Sequence, residues 1–170
     1  MIWIGSFNSL QTVIGKHRFT DAPLDVHTWV RSEIALISPL VDWLVNLIAT
    51  PHVCGEEQLV QLALREALSN AMLHGNRLEA GKLVHVHCCC EPHREVFVVV
   101  SDQGRGFDPN QIPNSLAVEN LSAEHRRGIH LIKVAMDEVS FEHGGTEVRM
   151  RKKLGFEPRT SASALCVETP

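Results

Sequence analysis

Three polar side chains at intervals of four residues interrupt the apolar side of one long helical stretch, Glu56 to Asn76. At about 100° per residue, Glu66, Asn70 and His74 fall within the arc that aliphatic side chains occupy. A carboxylate that faces a core costs on the order of several kcal/mol unless it is paired or takes part in chemistry. Glu66 could accept a proton from a hydroxyl, and Asn70 offers Mg²⁺ a neutral oxygen. The alternative is a buried polar pair that fixes helix packing, and for His74 we expect a core histidine bound to the backbone.

A glycine-rich acidic loop follows in the sequence "VSDQGRGFDP". Asp102 is an acceptor at the end of an apolar strand, and Gly104 and Gly106 allow the backbone to lie close to a planar ligand. Alone, this pattern is most often an acidic turn at a strand end. Together with the polar row on the helix, it indicates a nucleotide site. Gly128 opens a predicted helix, so the N-terminal amides of that helix could face phosphate.

The order of these motifs is more specific than any one of them. It runs E-x-x-x-N, D-x-G-x-G-F, a glycine that opens a helix, and G-T in a late strand. This order resembles the Bergerat-type ATP-binding fold shared by gyrase, heat-shock chaperone ATPases, sensor histidine kinases and mismatch-repair ATPases. Within that superfamily, "LREALSNAMLHGN", "DQGRGFDP", "GIHLIKVAMDEVSF" and "GGTEVRMRK" resemble the bacterial anti-sigma factor serine kinases. The resemblance covers roughly Phe19 to Lys153.

The resemblance implies a fold and a set of roles. The fold is an α+β two-layer sandwich, with a mixed, mostly antiparallel sheet and helices on one face. Glu66 would be the catalytic base, and Asn70 would bind ATP and Mg²⁺. Asp102 would accept a hydrogen bond from the adenine amino group, with the glycines after it close to the base. Thr146 would help to hold the adenine, and its alternative is a plain strand threonine.

One position departs from the family pattern. The usual motif has two glycines around one residue, whereas this chain has Arg126, Arg127 and Gly128. Arg126 could pair with a phosphate directly, or it could face solvent on a mobile lid, and both interpretations remain open. The stretch from Pro109 to Arg127 has no strong periodicity, and a segment of that length inside a compact domain predicts a lid.

The elements that must position these residues follow from periodicity. Helix-like spacing of apolar residues predicts a helix from Leu24 to Ile48, which Pro39 either kinks or divides in two. The segments "KLVHVHCCC" and "REVFVVVSD" predict a hairpin. An amphipathic helix is expected over "GIHLIKVAMDEV", and two strands are expected around Gly144 and Gly145.

Length and composition suit one compact domain. The chain has 170 residues, of which 44% are hydrophobic, and this is enough for a full core. We predict a domain at residues 17–154, preceded by an arm or strand at 1–16 and followed by a flexible tail at 155–170.

Net charge and cysteine content indicate the cellular compartment and the kinds of partner that the protein can have. The net charge of −4 argues against a broad nucleic-acid surface. Five cysteines, three of them consecutive, argue against a disulfide framework and favour a reducing compartment. The N-terminus lacks signal-peptide features, and the apolar run from Ile34 to Ile48 is short for a membrane span. We therefore expect a cytoplasmic protein with no direct nucleic-acid or membrane partner.

Histidine and cysteine alternate on one predicted strand. His85, His87 and Cys89 share a strand face, and His93 lies just past the turn. Such side chains could hold Zn²⁺, but structural zinc sites draw paired ligands from two segments, and no second pair is evident. We expect these residues to pack or to face solvent.

The expected function is that of an ATP-dependent protein serine kinase and anti-sigma factor in transcription regulation. The resemblance implies transfer of the ATP γ-phosphate to a serine of an anti-anti-sigma (STAS-type) protein, sequestration of a sigma factor, and a homodimer. One alternative is a non-catalytic ATP-binding switch that sequesters a partner; Glu66 argues against it and Arg126 leaves it open. Another is the catalytic half of a sensor histidine kinase, which would need a helical hairpin with a phospho-accepting histidine, and nothing marks His27 as that acceptor.

Overall fold

The computed structural model describes residues 2–3, 10–14, 23–48, 56–91, 94–108 and 124–154. Within these ranges the chain forms one seven-stranded sheet and three α-helices. The strands are β1 (Ile2–Trp3), β2 (Leu10–Ile14), β3 (Leu24–Arg31), β4 (Leu83–Glu91), β5 (Glu95–Ser101), β6 (Glu138–Glu142) and β7 (Glu147–Lys153). The helices are α1 (Ile37–Ile48), α2 (Glu57–Ser69) and α3 (Glu124–Ala135).

The sheet has the order β1-β2-β3-β4-β5-β7-β6, and every pairing in it is antiparallel. The predicted two-layer α+β sandwich is confirmed, although the described sheet is antiparallel rather than mixed. The predicted β4–β5 hairpin and the strands around Gly144 and Gly145 are confirmed as well. The predicted tail, residues 155–170, lies outside the described residues. Among the described residues, none of the helices has the length and apolar character that crossing a membrane requires.

The core lies between the helices and one face of the sheet. Successive strand side chains point to opposite faces, so β4 and β5 bury every second residue against the helices. Because of this alternation, a slip of one residue in strand register would expose all the buried side chains of that strand. Full burial of one aliphatic side chain contributes about 1.5–3 kcal/mol to stability, so the correct register is strongly favoured. The largest buried core side chains are Leu40, Leu44, Ile48, Leu64, Leu68, Met72, Ile129, Ile132 and Met150.

The predicted helix from Leu24 to Ile48 is wrong in its first part, because residues 24–31 form strand β3. Burial alternates along β3, with the residues between the buried ones turned to the opposite face. The apolar spacing in this stretch fits a helix as well as a strand, and pairing with β2 and β4 selects the strand. α1 then begins at Ile37, so Pro39 lies in its first turn, where backbone amides have no partner within the helix.

The long helix keeps its predicted extent but changes its geometry near the end. α2 passes at Asn70 into a wider π-helical turn that ends at Gly75. There the Asn76 amide donates to the Ala71 carbonyl oxygen at 2.8 Å, five residues back. Such turns are uncommon and occur frequently at functional sites. The wider turn directs Ala71 and Met72 into the core.

Asn76 joins three parts of the fold directly after this turn. It is fully buried, and its side-chain amide donates to Ser32 Oγ at 2.7 Å and to the Leu83 carbonyl oxygen at 3.0 Å. Its side-chain oxygen accepts from the Gln103 amide at 2.8 Å. The Gln103 side chain in turn accepts from the Leu83 amide at 2.8 Å. The end of α2, the start of β4 and the loop after β5 are thus held together at one residue.

Replacing Asn76 should destabilise the protein strongly. We expect Asn76→Ala to lower the free energy of unfolding by about 2–4 kcal/mol, because buried partners would lose their hydrogen bonds. Urea denaturation measures this difference. Asn46→Ala, at an exposed position of α1, is the matched control and should cost less than about 0.5 kcal/mol. Equal effects of the two substitutions would show that the Asn76 hydrogen bonds do not hold the fold.

Candidate functional site

A cleft opens between α2, α3 and the loops that follow β5 and β6. Its empty volume is about 620 Å³, including the solvent-filled mouth. Its walls are mainly apolar with a few polar groups, and this combination suits a flat aromatic ring with polar edges. The lining comprises Ala67, Asn70, Ala71, His74, Gly75, Val100, Asp102, Gly106, Phe107, Ile129, Ile132, Phe141, Gly145, Thr146 and Val148.

The polar row of α2 lies along this cleft. Asn70 and His74 line it, and Glu66 is half-buried one turn before Asn70. His74 is exposed at the rim, so the expectation of a core histidine is wrong. It lies in the wide turn near the helix end, where neighbouring residues turn to the core instead. Asn70 and His74 thus line the site, and none of the three side chains is fully buried in the core.

Gly128 of α3 lies directly against Glu66 and Asn70. A Cβ atom at Gly128 would be 2.8 Å from Glu66 Oε2 and 3.3 Å from both terminal atoms of Asn70. A side chain there would therefore press on the two residues predicted to carry the chemistry. This close approach, rather than conformational freedom, explains the glycine.

The expectation that Gly128 opens its helix is wrong. α3 begins at Glu124, so Gly128 is its fifth residue and its amide lies beyond the unpaired first turn. The residues from Glu124 to Arg127 contain no glycine or proline, so the local sequence allows the helix to begin before Gly128. The Arg126 side chain and most of the predicted lid, residues 109–123, lie outside the described residues. Both interpretations of Arg126 therefore stay predictions.

Asp102 is held at the inner side of the cleft by the backbone around it. Its amide donates to the Thr146 carbonyl oxygen at 2.9 Å, and its Oδ1 accepts from the Gly104 amide at 2.7 Å. The carboxylate lies over Gly75, where any Cβ would overlap it. Burial raises the pKa of the Asp102 carboxyl, and the Gly104 amide and the Lys82 charge offset part of that shift. The other carboxylate oxygen of Asp102, Oδ2, is thus a hydrogen-bond acceptor in a partly desolvated environment.

The two loops beside Asp102 are joined backbone to backbone. Gly106 has a φ of +70°, and its Cα lies against the Gly144 carbonyl oxygen, which also accepts from the Phe107 amide at 2.9 Å. Only glycine combines this left-handed conformation with so close an approach. Thr146 lines the cleft, and its hydroxyl donates to the His143 carbonyl oxygen at 3.1 Å.

The structure brings most of the predicted residues together. Asn70, Asp102, Gly106 and Thr146 line one cleft, and Gly128 lies against Glu66 and Asn70. Gly104 lies behind the cleft, against the Gly75 carbonyl oxygen.

Sequence reasoning missed two features of this site. One is Asn76, which holds the loop that carries Asp102. The other is the edge-to-face pair of Phe107 and Phe141, with ring centroids 5.4 Å apart, in the cleft wall. The position of Phe107 directly after the glycine loop was a usable signal.

A comparison with protein families agrees with this geometry. The model of the histidine kinase-like ATPase domain matches residues 30–152, a range that contains α2, Asp102 and Thr146. The chain belongs to this family. Membership implies that the domain binds ATP, usually with Mg²⁺. The cleft fits both, because its apolar walls suit the adenine ring and the Asn70 side-chain oxygen is a suitable ligand for Mg²⁺. A comparison with curated proteins found no match.

Asp102→Asn should weaken nucleotide binding without loss of stability. The Gly104 amide needs an oxygen acceptor, so an asparagine would turn its NH₂ group toward the position predicted for the adenine amino group, and two donors would meet. We expect ATP and ADP to bind about 10–100-fold more weakly in calorimetric titrations with Mg²⁺. Because burial disfavours the charged carboxylate, the melting temperature should not fall. Asp42→Asn, on the exposed side of α1, should bind normally; unchanged affinity in Asp102→Asn would remove Asp102 from the site.

Proposed function

We propose that this protein is an ATP-dependent protein serine kinase and anti-sigma factor that acts by partner switching. The observation that carries the proposal is the close packing of Glu66 and Asn70 against Gly128. Asp102 contacts Gly75, which follows Glu66 by nine residues and Asn70 by five in the same helical segment. At 1.5 Å per residue, Glu66 and Gly75 are roughly 13 Å apart along the helix. Such a separation supports binding of the base at one and the triphosphate at the other.

The side chains suggest how the reaction would proceed. Glu66 would take the proton of the incoming serine hydroxyl as the serine oxygen bonds to the γ-phosphorus. The bond between that phosphorus and the β-phosphate oxygen breaks, and ADP leaves. Asn70 would hold Mg²⁺ through its side-chain oxygen, and the bound ion would neutralise charge on the phosphate oxygens. Asp102 and Thr146 would orient the adenine.

The finer parts of the proposal rest on the four motifs that resemble anti-sigma factor serine kinases. They are the choice of serine, the STAS-type anti-anti-sigma substrate, the sequestered sigma factor, the homodimer and the cytoplasmic location. The half-buried carboxylate of Glu66 beside Asn70 supports a catalytic role over that of a switch that only binds ATP. The non-catalytic switch is an outcome of the tests below.

Glu66→Gln should abolish phosphoryl transfer and spare nucleotide binding. Glutamine keeps the shape but cannot accept the proton, and general bases contribute about 10²–10⁴-fold to rates. The assay incubates the protein with Mg²⁺, ATP and a STAS-type protein from the same genome, and mass spectrometry detects phosphoserine. Calorimetry should give ATP affinity within about threefold of the original.

Glu33→Gln, at an exposed position before α1, is the matched control and should transfer phosphate normally. Loss of ATP binding in Glu66→Gln would contradict the base assignment, as would retained transfer. If the unaltered protein binds ATP but transfers no phosphate to any STAS-type protein of its genome, the non-catalytic switch takes the place of the kinase.

Gly128→Ala should separate activity from stability. Alanine is favoured over glycine inside a helix by up to about 1 kcal/mol, so the melting temperature should hold or rise. The new methyl group would displace the Glu66 carboxylate, whose nearest oxygen is 2.8 Å from its position. We expect phosphoserine formation to slow by about 10–100-fold, since small misplacements of catalytic groups have effects of this size. An active Gly128→Ala protein would show that Glu66 need not stay at its observed position.

A further inference from the structure

The sheet face opposite the helices carries a cluster of metal-binding side chains. Asp25 and His27 of β3 lie directly across from Cys89 and His87 of β4. Only the β4 half of this cluster was recognisable from the sequence, since residues 24–31 had the spacing of a helix. β3 therefore supplies the second pair of ligands, from a second segment, that a zinc site requires.

The donor atoms already lie at near-coordinating separations. Asp25 Oδ1 is 2.8 Å from His87 Nε2, 3.4 Å from Cys89 Sγ and 3.7 Å from His27 Nε2. Cys89 Sγ is 2.9 Å from His87 Nε2. Around a tetrahedral ion with bonds of about 2.0–2.3 Å, neighbouring ligand atoms are about 3.3–3.6 Å apart. The donor atoms of Asp25, His27 and His87 all lie within 4.8 Å of one another, and Cys89 Sγ adjoins Asp25 and His87, so side-chain rotations would bring these groups around an ion.

Neighbouring rings hold the two imidazoles beside each other. The rings of His27 and His87 are stacked, with centroids 3.9 Å apart and planes 9° apart, so one of them must rotate for both to direct a lone pair at the same ion. His27 Nδ1 lies 3.2 Å from His85 Nε2, and this contact leaves His27 Nε2 for the cluster. Trp29 in turn stacks on His85 with a centroid distance of 4.6 Å. An outer partner that fixes the ring of a ligating histidine is a general feature of metal sites.

We propose that Asp25, His27, His87 and Cys89 form a binding site for a divalent transition-metal ion of the Zn²⁺ class. One carboxylate, two imidazoles and one thiol make a ligand set that Zn²⁺ accepts and that Mg²⁺ and Ca²⁺ do not prefer. The cluster lies on the sheet face away from α2, so the site is independent of the nucleotide cleft. The ion would join β3 to β4 across the open face.

An ion that binds at this cluster must displace the thiol proton of Cys89, as metals generally do at cysteine.

Cobalt titration tests the site directly. Co²⁺ is added to the full chain after removal of metals with a chelator, and visible absorption reports tetrahedral coordination while near-ultraviolet absorption reports a Co–thiolate bond. We expect one equivalent to bind, and Zn²⁺ to displace it with a dissociation constant of about 1 µM or tighter. Zn²⁺ should also raise the melting temperature, since it binds only the folded pairing of β3 and β4.

Variants separate this site from adventitious binding. Asp25→Asn and His87→Gln should each weaken Zn²⁺ binding by more than about tenfold, and Cys89→Ser should remove the thiolate band. His143→Asn removes an exposed histidine from another part of the chain and should change nothing; asparagine also tolerates the positive φ there. Asp25 is 61% exposed, so its variant should fold normally, which metal-free melting checks. Binding weaker than about 100 µM, or equal loss in His143→Asn, would overturn the proposal.

Discussion

The hydrogen bonds of Asn76 are the interaction on which the site depends. They hold the loop after β5 against the end of α2, and the cleft exists because those two segments meet. The approach is so close that Gly104 touches the Gly75 carbonyl oxygen and the Asp102 carboxylate covers Gly75. Side chains of any size at these glycines would separate the segments. A single buried amide thus sets the distance between the helix that carries Asn70 and the loop that carries Asp102.

The same arrangement places stability and function in opposition. Asp102 is held partly buried although burial disfavours its charge, and Gly128 occupies a helix interior where alanine would be preferred. The helix gives up regular hydrogen bonding in the wider turn from Asn70 to Gly75, where the Asn76 amide donates to the Ala71 carbonyl oxygen. Departures from local preference of this kind gather at functional sites because packing elsewhere compensates for them. Here the compensation is the aliphatic layer between the helices and the sheet.

The two faces of the sheet have different chemistry for a geometric reason. Alternation along each strand sends valines and cysteines such as Cys88 into the core and leaves Asp25, His27, His87 and Cys89 on the other side. On that open face, aromatic and imidazole rings stack across β3 and β4 instead of packing under helices. The nucleotide cleft and the proposed metal site therefore lie on opposite faces of the sheet.

The sequence by itself determined the elements whose signals are local. Two-residue alternation predicted β4, β5 and the strands around Gly144 and Gly145, and helical spacing predicted α2 with its polar row. The motif order led to the ATPase family, and four of the predicted site residues line one cleft. The tertiary structure alone decided what depends on distant partners. Residues 24–31 form β3 because they pair with β2 on one side and β4 on the other. The pairing with β4 places Asp25 opposite Cys89. Asn76 and the exposed His74 were decided in the same way, since buried hydrogen bonds and the wider turn of α2 arise only when separate segments pack together.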